Sequence, residues 1–158
     1  MIEVNNIMKR IILVLVVIFF TFGLSAQNVQ KTDSVFCTYL YNEEYQVYLD
    51  IDFYNKRMQV PGQEILGDMP GYFGASRDSR KWLITSAVLI STNKADIDFI
   101  NDYGSEDLTA TLQYNHKDKT NVLKQKSGRR LKIVVNRKWV KIPNELLFVP
   151  HKRVADKW

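Results

Sequence analysis

From residue 45 the apolar side chains fall on every second position: Tyr45, Val47, Leu49, Ile51 and Phe53 alternate with Gln46, Tyr48, Asp50, Asp52 and Tyr54. Side chains of an extended chain point alternately to opposite faces, so this spacing predicts a strand with one buried face, and a helix with its 3.6-residue period could not use it. The pattern returns at Ala95, Ile97 and Phe99, at Leu108, Ala110, Leu112 and Tyr114, and at Leu131, Ile133 and Val135. Residues 82–90 (WLITSAVLI) form a nearly continuous apolar run with β-branched members, which predicts the most buried strand. Residues 120–126 read as a weak polar strand, and 139–142 and 146–149 as short closing strands around Pro143-Asn144. Eight or nine short strands at regular spacing predict an all-β fold, a single antiparallel meander, with a small lipocalin-like barrel preferred over a sandwich because closure removes exposed edges.

One stretch cannot be regular. VPGQEILGDMPGYFG holds four glycines and two prolines, which predicts a long loop ending in a short strand at most. Long loops inside compact domains are uncommon unless they are functional or disordered. Residues 61–74 are therefore expected to gate or line a binding site, with Tyr72 and Phe73 as apolar contacts; the competing expectation is that this pair plugs the barrel end. Tyr48 and Tyr54 share an outward face with Asp50 and Asp52, a combination that suits a sugar.

The chain's start has a different logic. Lys9 and Arg10 precede an uncharged apolar run at 11–24, followed by small residues at Ser25 and Ala26. This is the three-part plan of a secretory signal, and the run is shorter than the roughly 20 residues a membrane-spanning helix needs. Residues 1–26 are expected to be a cleaved signal peptide and 27–158 one all-β domain, exported to the periplasm or beyond, with no transmembrane segment after cleavage. Met8 is an alternative translation start. Without residues 1–26, 20 basic side chains stand against 16 acidic ones, too mild an excess to imply nucleic acid.

Charge is unevenly distributed. Residues 27–116 hold 7 basic and 13 acidic side chains, and 117–158 hold 13 and 3. Acidic strands pairing with basic ones would explain this. The functional alternative is a patch of Arg129, Arg130, Lys132, Arg137 and Lys138 that docks on an anionic glycan or protein partner.

Catalytic and metal chemistry find little support. Asp96 to Ala110 (DIDFINDYGSEDLTA) carries five carboxylates, but no register matches a calcium loop, and Asp102 and Gly104 suit a hairpin corner. The two histidines, His116 and His151, lie in no motif, and one cysteine with two scattered histidines is not a zinc set. Cys37 has no partner for an internal disulfide, and alternation groups it with Val35, Tyr39 and Tyr41, so a buried, inert thiol is expected. No metal and no cofactor is expected, nor a catalytic role.

The runs YLDIDFYNKRMQVPGQEILGDMPGYFG, WLITSA, NDYGSEDLTATL and RKWVKIP resemble small exported β-rich proteins of Gram-negative gut bacteria with no established function. Strand count alone is similar to lipocalin-like barrels. The expected function is an exported, non-catalytic binding or accessory module for a small apolar molecule or a glycan.

Overall fold

The computed structural model describes residues 34–102 and 104–153; the expected signal at 1–26 lies outside them. In chain order the strands are β1 (Cys37–Asn42), β2 (Val47–Asp52), β3 (Gly71–Ala75), β4 (Asp78–Ser91), β5 (Lys94–Asn101), β6 (Asp107–Asn115), β7 (Thr120–Gly128), β8 (Lys132–Val135), β9 (Lys138–Lys141) and β10 (Glu145–Pro150). Eight of them close into an antiparallel barrel in the order β1-β10-β7-β6-β5-β4-β3-β2, and β8 pairs only with β9. The small antiparallel barrel expected from the two-residue period is therefore the fold.

Register decides which residues meet inside. Leu40 lies opposite Leu49, Leu49 opposite Phe73, Phe73 opposite Trp82, and Leu112 opposite Leu123. Opposite residues share a face, so these rows all point inward. With Phe36, Phe99 and Phe148 they belong to one buried cluster. An eight-stranded barrel has an interior just wide enough for side chains to fill, and this one is filled. Each large apolar side chain so buried stabilises the fold by about 1.5 to 3 kcal/mol.

The two ends differ. At one end β7 does not lead directly to β10: the chain leaves the wall, forms the β8–β9 hairpin and returns. Leu131, Ile133 and Ile142 of that excursion join the core. Gln125 holds its base, donating from Nε2 to the Pro143 carbonyl at 2.7 Å and accepting from the Leu131 N–H at 2.8 Å. Val134 N–H donates to Asp78 Oδ2 at 2.7 Å, and Trp82 Nε1 to the Lys132 carbonyl at 3.3 Å. We call this the capped end. The expected closing strand at 139–142 thus pairs with β8 and not with its successor, because β10 is taken up by β7 and β1. The opposite, open end holds the start of β1, the β4–β5 and β6–β7 turns and the end of β10.

Two expectations are corrected here. The run 82–90 is not the most buried strand: a bulge between Ile84 and Ser86 returns Ala87 to the interior, but Val88, Leu89 and Ile90 are 54%, 41% and 55% exposed at the open end. β3 is buried along its whole length instead. Its inner face meets the core, and its outer face is covered by the segment between β2 and β3. Met58 and Met69 bridge across that segment, and Met58, Val60 and Met69 pack with Tyr48, Tyr72 and Leu83 on the outside of the wall. The Gly/Pro segment ends in the short strand Gly71–Ala75, and the part before it lies against the wall.

Cys37 is the second correction. It is exposed, because the inward positions here are taken by Phe36, just before β1, and Leu40, both fully buried. The shared face of Cys37, Tyr39 and Tyr41 is the outer one.

Candidate functional site

The four aromatic residues singled out in the sequence do not converge. Phe73 points into the core and is 1% exposed, whereas its neighbour Tyr72 lies on the outer wall beneath the covering segment. Tyr48 joins Tyr72 there, edge to face at 6.1 Å, and stacks on Tyr39 at 5.2 Å. Tyr54 is separate and 41% exposed. Tyr48 and Asp50 do face outward as alternation requires, but they are 2% and 4% exposed, so this outward face is not wet.

Polar groups under the cover are matched with partners. Arg153 donates from Nε and Nη2 to the two oxygens of Asp50, both at 2.8 Å, and the hydrogen bond together with the carboxylate charge raises the Arg153 pKa further. Lys81, 3% exposed, donates from Nζ to Tyr48 Oη at 2.7 Å. Gly74 makes room for Tyr48: a Cβ on Gly74 would lie 2.6 Å from Tyr48 Cζ and Oη. The arrangement is a sealed, hydrogen-bonded outer layer.

The sequence-proposed basic patch sits at the capped end. Arg129, Arg130, Arg137 and Lys138 are exposed around the β8–β9 hairpin. Lys132 is engaged: its ammonium is 2.7 Å from Glu106 and 4.7 Å from the Trp139 ring centre, over which the Arg80 guanidinium also lies, at 4.4 Å. Lys124 is opposite Glu145 and forms an ion pair with it, and Lys126 pairs with Asp96 at 2.7 Å. Basic residues of the second half do meet acidic ones across strands.

The acidic stretch is a hairpin corner. β5 and β6 pair along it, Asn101 Oδ1 accepts the N–H groups of Ser105 and Glu106 at 3.0 and 3.3 Å, and Gly104 turns the chain at φ +65°. Asp96 is held below the usual carboxylate pKa by hydrogen bonds from Lys126 and then Thr111. Among the described residues no group of three or more His, Cys, Asp or Glu could hold a metal ion.

Among the described residues, two sizeable clefts reach the open end. The larger, of about 680 Å³, runs over the outside of β5, β6 and β7 and is lined by Lys94, Lys117, Lys124 and Lys126, by Asn93, Gln113, Asn115 and Thr111, and by Tyr114 and His116. The second, of about 500 Å³, lies at the barrel mouth beside β1 and β10 and shares Tyr114 and His116 with the first. These two rings meet edge to face at 4.8 Å and form the ridge between the clefts. Asn121 lies at the back of the mouth cleft, 1% exposed, and neither polar atom of its amide has a hydrogen-bond partner among the described residues.

Sequence reasoning missed this surface. Thr111 and Gln113 on β6 and Lys124 and Lys126 on β7 stand at the outward positions that alternation assigns them, but the register that aligns them across β5, β6 and β7, and how the turns rise around the groove, are not local properties. No match was found among family models, curated proteins or solved structures. Among the described residues no helix is long and apolar enough to cross a membrane.

Proposed function

We propose that the protein is an exported, non-catalytic binding module that holds an acidic glycan in the groove over β5, β6 and β7. The observation that carries this reading is the lining: four lysines and three amides surround a volume of about 680 Å³ beside half-buried Tyr114 and exposed His116. That volume lies within the roughly 300 to 1,000 Å³ of small-molecule sites. The lysines supply the charge, and the Asn93 and Gln113 amides match sugar hydroxyls, whereas the buried Thr111 hydroxyl donates to Asp96 at 2.9 Å and the Asn115 amide is engaged by Asp118 and the Lys117 N–H. Lys124 and Lys126 already have carboxylate partners, but their side chains are 63% and 45% exposed. Exposed pairs of this kind are worth only about 0.2 to 1 kcal/mol, so an incoming anion can displace them at small cost. The side chains that fill the barrel favour this outer surface over an interior site for an apolar ligand.

The test is affinity for heparin or polygalacturonate against neutral dextran, using the chain from Gln27. Binding to the acidic polymers should weaken steeply with salt, since exposed charges are screened within about 10 Å at 0.1 M. Lys117→Glu with Lys124→Glu should abolish it, and Arg129→Glu with Arg130→Glu should leave it intact. The opposite outcome would move the site to the β8–β9 hairpin; equal binding to dextran would remove the acidic specificity.

A further inference from the structure

The exposed end of β4 is unexplained by the groove. Val88, Leu89 and Ile90 are consecutive and 54%, 41% and 55% exposed, at the tip of the longest strand. A strand that merely walls a barrel needs polar residues at its outward positions there, yet Val88 occupies one, Ile90 stands exposed at the register shift between Leu89 and Ser91, and Leu89 lies at the rim opposite buried Ala95. Exposed apolar residues in a continuous group mark a surface that something covers. What covers this one is indicated by its neighbours.

The surroundings are basic. The Lys56 ammonium donates to the Ala87 carbonyl at 3.0 Å, which places a positive charge directly beside the tip. Arg57 follows it, and Lys94 faces Ser91 across the β4–β5 turn. The β6–β7 turn at the same end adds Lys117 and Lys119, and Lys152 follows β10. Opposing them are Asp52, Asp118 and Asp96, which stands directly opposite Val88 and is paired with Lys126 at 2.7 Å. Asp52 is itself occupied by the N–H groups of Tyr54 and Asn55 at 3.1 and 3.0 Å, and Asp118 accepts from Asn115 at 2.7 Å. Tyr54, 41% exposed, adds an aromatic side chain beside Lys56.

An apolar tip at an end that carries five lysines and Arg57 complements the chemistry of an anionic bilayer surface. Tip side chains enter the boundary between headgroups and acyl chains, and the surrounding cations remain at the level of the lipid phosphates. Neither signal alone holds a protein firmly to a bilayer, and here the two occur together. We propose that the open end of the barrel docks on a bilayer containing anionic phospholipid, with Val88, Leu89 and Ile90 inserted and Lys56, Arg57, Lys94 and Lys119 on the headgroups. The groove proposed above lies beside this end, so a glycan there would be held next to the membrane.

The experiment is co-sedimentation of the chain from Gln27, which contains the whole barrel, with phosphatidylglycerol–phosphatidylcholine vesicles and with pure phosphatidylcholine vesicles. Binding is expected to the mixed vesicles, with little to phosphatidylcholine and a strong fall with salt. Val88→Ser with Ile90→Ser, and separately Lys56→Glu with Arg57→Glu, should each reduce the partition constant by roughly tenfold or more. These residues are exposed, so the melting curves of both variants should stay near that of the parent chain. Arg129→Glu with Arg130→Glu, at the capped end, should bind vesicles as the parent does. Vesicle binding that survives the serine changes overturns the proposal, as does equal loss in the Arg129/Arg130 variant. A dimer in sedimentation velocity that the serine changes dissociate, without vesicle binding, would assign the tip to a second copy of the chain and equally overturn it. Heparin binding by the serine variant separates this result from the fate of the glycan reading.

Discussion

Replacing Gly74 by Ala tests whether the outer layer is as tightly fixed as its geometry indicates. The new Cβ would stand 2.6 Å from Tyr48 Cζ and Oη and 2.9 Å from Cε2, closer than real Cβ atoms come. The ring has little freedom to give way: Tyr39 stacks on one side, the Tyr72 ring meets it edge to face, and Oη is held by Lys81 at 2.7 Å. Overpacking at such a site costs about 1 to 3 kcal/mol. For a domain between the small and medium classes, each kcal/mol moves the melting temperature by roughly 3 to 6 °C. Gly74→Ala alone should therefore melt about 3 to 18 °C below the parent chain. With Tyr48→Ala already in place the sign should reverse: Gly74 does not have a positive φ, and Ala then gains about 0.4 to 1 kcal/mol by restricting the unfolded chain. Urea unfolding of the parent, both single variants and the double variant gives the coupling directly. Additive effects, or a Gly74→Ala protein as stable as the parent, would refute the reasoning.

Two further outcomes follow from ionisable groups. Cys37 is exposed, but partial desolvation, with the charge and hydrogen bond of Asp52, raises its pKa above the ordinary 9.0. It should react with a maleimide in the native protein, slowly at neutral pH and faster as pH rises, and Asp52→Asn should accelerate the reaction near pH 8; labelling only after denaturation would contradict the exposed placement. Asp96 should titrate below its ordinary 3.8, followed by carbon NMR, and move back towards that value in Lys126→Met. Because its folded pKa is depressed, its contribution to stability is present above the unfolded pKa and lost as pH falls through the folded one. With both side chains nearly half exposed, that contribution is no more than about 0.2 to 1 kcal/mol, and an unchanged Asp96 pKa in the variant would remove Lys126 as its cause.

The alternation of apolar and polar residues was enough to specify strands and an antiparallel barrel, because side-chain direction along a strand depends only on the parity of the position. It also located the acidic corner at 96–110, since turn chemistry at Asp102 and Gly104 is local. Parity cannot say whether an outward face is wet. Tyr48 and Asp50 look outward and are buried, because residues 58–69 return over them; Cys37 looks like a core residue and is exposed, because Phe36 and Leu40 hold the inward positions. The uneven charge of the two halves was visible in the chain, yet only the register of β5, β6 and β7 puts Lys94, Lys124 and Lys126 around one groove. Val88, Leu89 and Ile90 show the same division: as residue types they belong in a core, and only the length of β4 at the open end leaves them exposed. Residue type and spacing act over one or two neighbours along the chain, whereas burial and charge clustering depend on segments far apart in sequence, and the fold alone puts those together.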